Sequence, residues 1–449
     1  MKPSRLERLL SREEERFKKE HLESGRLFRR AWGSLLGGVP MPWMTQWAGA
    51  YPVFVKEATG ARVTDVDGHT YVDLCLGDTG AMTGHAPPAT VEAVARQAKK
   101  GITAMLPVED AIWVAEELGR RFKVSYWQFA LTATDANRFV LRMAREITHR
   151  PKVLVYNWCY HGTVDEALIT LEDGVPVPRE GNVGPPVNPA VTTRVIEWND
   201  TDALEEALSH RDVACVLAEP AMTNIGIILP EPGYHDALRE LTRRYGTLLV
   251  IDETHTICAS PGGYTAAHGL SPDFVTIGKP IAGGVPAAAY GFTEEVASMV
   301  MKRRGEILDA SDTGGIGGTL SGNALSIASI KATLSEVLTE EAFHHMIALG
   351  ERFTEGVEGV IRETGAPWHV VRLGCRAEYR FQPGIPRNGR EAAAARDSNL
   401  DRFMHLYALN RGILLTPFHN MALMCPVTSR GDVDFHTEVF REAAWELLG

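Results

Sequence analysis

The chain has 449 residues, 45% of them hydrophobic, and a formal net charge of −11. That is enough apolar material for a large core spread over two or three domains, and the acidic excess argues against nucleic acid or an anionic membrane as a partner. No run of roughly 18 apolar residues is present to cross a bilayer, and the Glu-rich start reads as neither a signal nor a transit peptide, so a cytoplasmic protein is expected.

In chain order, residues 1 to about 31 alternate charges with Leu6, Leu9, Leu10 and Phe17, the pattern of one or two amphipathic helices packing on a protein surface. Leu35 to Pro52 holds Gly37, Gly38, Pro40, Pro42, Trp43 and Trp47 and must be irregular. Its two tryptophans need cover from the core, a dimer contact or a substrate pocket. Short strands are expected at 53–55, 61–66 and 71–74, with Asp67-Gly68 turning between the last two. A glycine-rich loop, GDTGAMTGH, then leads into a helix from about Pro88.

From Ala111 helices and strands alternate. Helices are expected at 112–122, 135–148, 203–208 and 235–245, and strands at 127–131, 153–156, 193–198, 213–217, 248–251 and 274–277. In the second helix Ala136, Phe139, Val140, Met143, Ala144 and Ile147 share one face. Such alternation predicts an α/β fold, with a large domain at 77–325 built on a mainly parallel sheet flanked by helices. Helices at 324–338 and 342–364, a few strands and a helix from Val433 follow. Residues 1–76 and 326–449 then make a smaller α+β domain from both chain ends.

Two of these strands carry chemistry. Residues 248–251 deliver Asp252 at their carboxyl end, and 274–277 deliver Lys279 at theirs, followed by Pro280, Gly283 and Gly284. The carboxyl edge of an open α/β sheet is where ligands bind. A lysine and a carboxylate placed there suit a Schiff base on Lys279, with Asp252 keeping the ring nitrogen of pyridoxal 5'-phosphate protonated. Thr132, Ala133 and Thr134 sit between a strand and a helix, where backbone N–H groups and a hydroxyl can hold the phosphate. An N-cap without a ligand is the competing reading of that triplet. The six cysteines (75, 159, 215, 258, 375 and 425) form no CxxC pair and no short metal spacing, so they read as reduced, mostly buried thiols and no metal is expected.

The ordered motifs DVDGHTYVD (65–73), GH (84–85), TATDAN (132–137), YHG (160–162), EP (219–220), IDE (251–253), GK (278–279) and GTLSGN (318–323) resemble those of the class III aminotransferases, of the pyridoxal-phosphate fold type I group. The nearest subgroup is similar to glutamate-1-semialdehyde aminomutase and the β-amino-acid transaminases. The resemblance runs from about residue 25 to the end. It implies that Tyr160 stacks on the cofactor ring, that Thr254 lies on the opposite face, and that Glu219 sits near the cofactor's edge to orient Asp252 or other polar neighbours. Thr319 would reach the phosphate of a neighbouring protomer, which makes a homodimer with a shared active site. The family's phosphate triplet is usually Ser-Gly-Thr or Ser-Gly-Ser followed by Glu. Here Ala133 and Asp135 stand in those places, and Ala133 fits only with negative φ.

Substrate contacts are sought in two stretches. Arg372, Arg376 and Arg380 recur every four residues in VRLGCRAEYRF, and on one strand all three would share a face; Arg376 is the candidate to clamp a substrate carboxylate. The segment TPFHNMALMCPVT (416–428) departs from the glutamate-bearing motif of the aminomutase and lacks the movable arginine of many ω-transaminases. Trp43, Trp47, His419 and Asn420 are pocket-lining candidates. The expected activity is transfer of an amino group from an amino acid or amine to a keto acid, with an aminomutase or epimerase on the same scaffold as the alternative, and a non-catalytic cofactor-binding protein as a third reading.

Overall fold

The structure, a computed structural model, describes residues 4–185, 187–307 and 315–449; the first three residues of the expected N-terminal helix lie outside them. The chain divides into two compact units, one of residues 88–340 with 386–394 and one of residues up to 87, 341–385 and 395–449. The divisions therefore fall at 87/88 and 340/341, against expected limits of 76/77 and 325/326. Packing explains the difference. The helix Pro88–Ala98 lies against the helix Ala324–Ala332, with Thr90 Oγ1 3.0 Å from Thr333 Oγ1. Residues before 88 are tied elsewhere, as His85 Nε2 lies 2.7 Å from Asp73 Oδ2.

The larger unit is organised by a seven-stranded sheet. Its spatial order is Tyr126–Ala130, Ala288–Phe292, Phe274–Ile277, Leu248–Asp252, Val213–Ala218, Lys152–Tyr156 and Thr193–Ile196. The Leu248 strand pairs in parallel with both neighbours, and Asp252 stands opposite Thr276. Val213–Ala218 and Phe274–Ile277 are buried at every position, as continuous apolar strands covered on both faces must be. Ala288–Phe292 was not expected from the sequence. It runs antiparallel to both of its partners and is small where it has to be, since a Cβ added at Gly291 would come within 2.6 Å of the Trp127 ring.

The helix Ala133–Thr148 starts two residues earlier than expected. Thr132 is its N-cap, accepting from Asp135 N at 3.2 Å. The expected 324–338 helix is α-helical only to Ala332 and then widens through Thr333–Val337. The hairpin Ile169–Glu172 with Val175–Pro178 and the helix Glu294–Ile307 were also unanticipated.

The other unit holds a four-stranded sheet that begins at Val55–Thr59, slightly later than expected, and a three-stranded sheet of His369–Leu373, Arg376–Arg380 and Met421–Leu423. The VRLGCRAEYRF stretch is a hairpin rather than one strand. It turns at Gly374, whose φ is 56°, so Arg372 pairs opposite Ala377 and only Arg376 and Arg380 share a strand and a face.

Candidate active site

Lys279 follows its strand after Gly278 and opens a short 3-10 turn, Lys279–Ala282. Its φ is 48°, a left-handed conformation that costs a non-glycine residue on the order of 1–3 kcal/mol and persists only where the surroundings impose it. Gly278 helps impose it. A Cβ there would sit 3.0 Å from Ala133 Cβ and 3.2 Å from Ala133 N, so the glycine lets the Lys279 turn close tightly on the N-terminus of the helix Ala133–Thr148. The lysine amine points to the loop beyond Asp252, with Nζ 2.7 Å from His255 Nε2.

Asp252 ends the adjacent strand and is 3% exposed. Its Oδ2 accepts from Asn137 Nδ2 at 2.8 Å and lies 2.9 Å from His161 Nδ1. Its Oδ1 accepts from Thr254 N at 3.0 Å. Asn137 is itself held, because its Oδ1 accepts from Thr276 Oγ1 at 2.6 Å and its Nδ2 also donates to His161 O at 3.2 Å. Burial alone would raise the Asp252 carboxyl, but His161, Thr254 and Asn137 bring it down to about 2. Burial alone would lower His161, and its contacts, Asp252 foremost, push it up to about 10. At neutral pH the edge therefore carries a buried carboxylate backed by an imidazolium.

Thr132, Ala133 and Thr134 lie at the same edge. Ala133 adopts helical φ as the first residue of its helix, which meets the condition set by alanine there. The first N–H groups of an α-helix have no partner inside it. Thr134 Oγ1 accepts from Thr163 N at 3.1 Å, and a Cβ on Gly162, whose φ is 80°, would fall 2.1 Å from that oxygen. The YHG loop that carries Tyr160 thus packs on the helix start. Glu219, which follows the strand Val213–Ala218, is buried, and burial raises its carboxyl. It accepts from Thr223 N at 3.2 Å and from the Thr223 hydroxyl. Asn137 and His161 provide the hydrogen bonds that orient Asp252. This set of groups fits pyridoxal 5'-phosphate: a helix start that could hold a phosphate, a buried carboxylate that could face the ring nitrogen, and a lysine on the neighbouring strand's end that could join the aldehyde.

The remaining candidates make contacts of their own. Thr319 is exposed in the loop before the Ala324 helix and lines an open cavity of about 440 Å³ with Lys100, Ile102 and Leu106. Trp43, Trp47, Arg376, His419 and Asn420 belong to the other unit. Trp43 stacks edge-on against Phe418 at 5.7 Å. Trp47 lines a cavity of about 370 Å³ with Phe418, Asp401 and His405. Arg376 and His419 are buried, and His419 Nδ1 lies 3.4 Å from the buried Glu378. Asn420 Nδ2 donates to Asp401 Oδ1 at 2.7 Å.

Sequence reading overlooked Asn137, His161, Thr276 and His255. Asn137 could have been suspected as a polar residue beside the apolar face of its helix, and His161 as a member of YHG. His255 had no signal beyond its place three residues after Asp252.

Residues 43–427 match the family described as Aminotransferase class-III. Over 435 residues the chain is 33% identical to glutamate-1-semialdehyde 2,1-aminomutase of Desulfitobacterium hafniense, covering 94% of this chain and 97% of that protein. It is 34% identical over 425 residues to the same-named protein of Sorangium cellulosum, covering 93% and 95%. Among solved structures, a glutamate-1-semialdehyde-aminomutase from Pseudomonas aeruginosa PAO1 superposes with a TM-score of 0.96 at 51% identity over 99% of both chains; a lysine-to-alanine form of it was solved in complex with PMP. An omega-transaminase from Sphaerobacter thermophilus gives a TM-score of 0.85 at 29% identity, covering 95% of this chain and 98% of that one. The chain belongs to the class III aminotransferases, enzymes of PLP fold type I that depend on pyridoxal 5'-phosphate.

Proposed function

We propose that the chain moves an amino group between positions of a single substrate, an aminomutation of the kind its relatives are named for. The observation that carries this reading is whole-length similarity: 51% identity over 99% of both chains to an aminomutase of known structure. This reverses the preference in the sequence reading, which favoured transfer between two substrates. Pyridoxal 5'-phosphate, when bound, supplies the electron sink for a carbanion beside nitrogen. Asp252 keeps a proton on the ring nitrogen, and Asn137 and His161 keep Asp252 ionised and aimed. The start of the helix at Ala133, with Thr132 and Thr134, binds the phosphate, Tyr160 and Thr254 flank the ring, and Glu219 closes the polar edge. Lys279 would hold the cofactor and would be the general base that moves the proton between carbons. Of the substrate contacts, Arg376, Trp43, Trp47 and His419 remain the residues we assign to recognising the rest of the molecule.

Incubating the holoenzyme with one amino-aldehyde substrate and no keto acid tests this. Turnover without an acceptor supports it; turnover only after a keto acid is added supports the second reading, a transaminase. That reading is favoured by likeness to an omega-transaminase at 29% identity and to a β-phenylalanine aminotransferase from Variovorax paradoxus at 25%.

We further propose a cytoplasmic homodimer in which Thr319 completes the partner's phosphate site. Exposed Ile102, Met105, Leu106 and Leu320 near Thr319 form the apolar surface such a contact would cover. No helix among the described residues is long and apolar enough to cross a membrane.

A further inference from the structure

We infer that His255 is the proton acceptor for the Lys279 ammonium, the group that makes this lysine able to join the cofactor. The inference rests on the assignment of Lys279 as the cofactor lysine. A lysine amine in water at pH 7.5 is neutral in roughly one molecule per thousand, yet only the neutral amine attacks a carbonyl. An imidazole stands against that amine and can take its proton as the nitrogen attacks. His255 Nε2 lies 2.7 Å from Lys279 Nζ, within reach of direct proton transfer. With the ring proton on Nδ1, Nε2 presents a lone pair to the ammonium. The Nζ–H bond breaks, its electron pair stays on Nζ, and the proton is carried on Nε2 as imidazolium.

The backbone around His255 is built to hold this contact. Glu253, two residues earlier, is fully buried. Its Oε1 accepts from Thr265 N at 2.6 Å, and its Oε2 accepts from Tyr264 N at 3.0 Å and from Thr256 Oγ1 at 2.5 Å. Gly263 lets this happen, since a Cβ there would fall 2.3 Å from Glu253 Oε2. Residues 253–265 therefore form a closed loop clasped by one carboxylate, and His255 sits inside that clasp. Lys279 approaches from the next strand in its left-handed turn. Asp252 already holds Asn137, His161 and Thr254, and the ring nitrogen is its assigned partner.

The test uses apoenzyme and pyridoxal 5'-phosphate as the probe, following capture by visible absorbance in a stopped-flow instrument at pH 7.5. His255→Gln keeps a hydrogen-bonding side chain but cannot carry the proton. Capture should slow on the order of 100-fold, the lower end of what a placed acid or base contributes, with an unchanged circular dichroism spectrum and unfolding midpoint. In His255→Ala, added imidazole should restore part of the rate, which a purely structural role would not allow. Capture by His255→Gln at the parental rate, or no response of His255→Ala to imidazole, overturns the inference. Lys279→Ala separates the two claims: if it forms the same absorbing adduct as the parent, the assignment of Lys279 falls, whereas an inert Lys279→Ala beside an unaffected His255→Gln removes only the role of His255.

Discussion

His161 Nδ1 lies 2.9 Å from Asp252 Oδ2 in a site from which both side chains are excluded from water. The pair gives a fold type I edge a carboxylate that stays ionised without a solvent-exposed cation. Removing one member of a buried pair leaves the other uncompensated, at a cost of about 3 kcal/mol. Asp252→Asn is therefore expected to lower the unfolding free energy of the apoenzyme by about that amount and to reduce kcat by on the order of 100- to 1,000-fold. Urea titration and steady-state kinetics check the two effects separately.

The same pair sets a pH window. His161 is raised from an ordinary value near 6.5 to about 10, so its contribution is complete below about pH 6.5 and is lost as pH climbs toward 10. Asp252 is lowered from 3.8 to about 2, so its contribution is complete above about pH 4 and is lost as pH falls toward 2. Stability of the apoenzyme should be level between those limits and decline on the alkaline side. Asp252→Asn should flatten that alkaline decline; an unchanged decline would place its origin elsewhere.

Gly162 joins the YHG loop to the start of the helix Ala133–Thr148. Its φ is 80°, and a Cβ would press 2.1 Å from Thr134 Oγ1. Gly162→Ala should destabilise the protein by about 1–3 kcal/mol through the left-handed backbone alone and weaken cofactor affinity by displacing Thr134. Equilibrium titration of apoenzyme with pyridoxal 5'-phosphate measures the second effect against Gly284→Ala, where φ is 98° but nothing lies within 4 Å of the added carbon.

All six cysteines are buried, and burial pushes the Cys75 and Cys215 thiols up to about 12. Thiolate is the reactive form. The native protein should react slowly or not at all with a disulfide reagent at pH 8, and six thiols should appear on unfolding. Rapid reaction of even one thiol in the native state would contradict this burial.

Much of the fold was legible because strands buried on both faces write themselves as continuous apolar runs: residues 248–251 and 274–277 could hardly be anything else. The strand Ala288–Phe292 was hidden because Ala-Ala-Tyr-Gly-Phe has no β-branched residue, and the Gly291 that packs against Trp127 reads as a breaker. The arginine ladder was misread because Gly374 makes a turn where the four-residue spacing suggested one straight strand. The positions of Asp252 and Lys279 at one sheet edge were readable because one ends its strand and the other follows its own by two residues. The residues that tune them were not. Asn137, His161 and His255 reach Asp252 and Lys279 from different segments, and spacing along the chain does not encode such meetings. The link between Gly278 and Ala133 was invisible for the same reason, since a missing Cβ matters only once two backbones are in contact.

The central claim is that Lys279 is the residue joined to pyridoxal 5'-phosphate. Reducing the holoenzyme with borohydride, digesting it and sequencing the peptides by mass spectrometry tests that claim directly. The account predicts a phosphopyridoxyl mass on Lys279 alone. The same mass on any other lysine, with Lys279 unmodified, would contradict it.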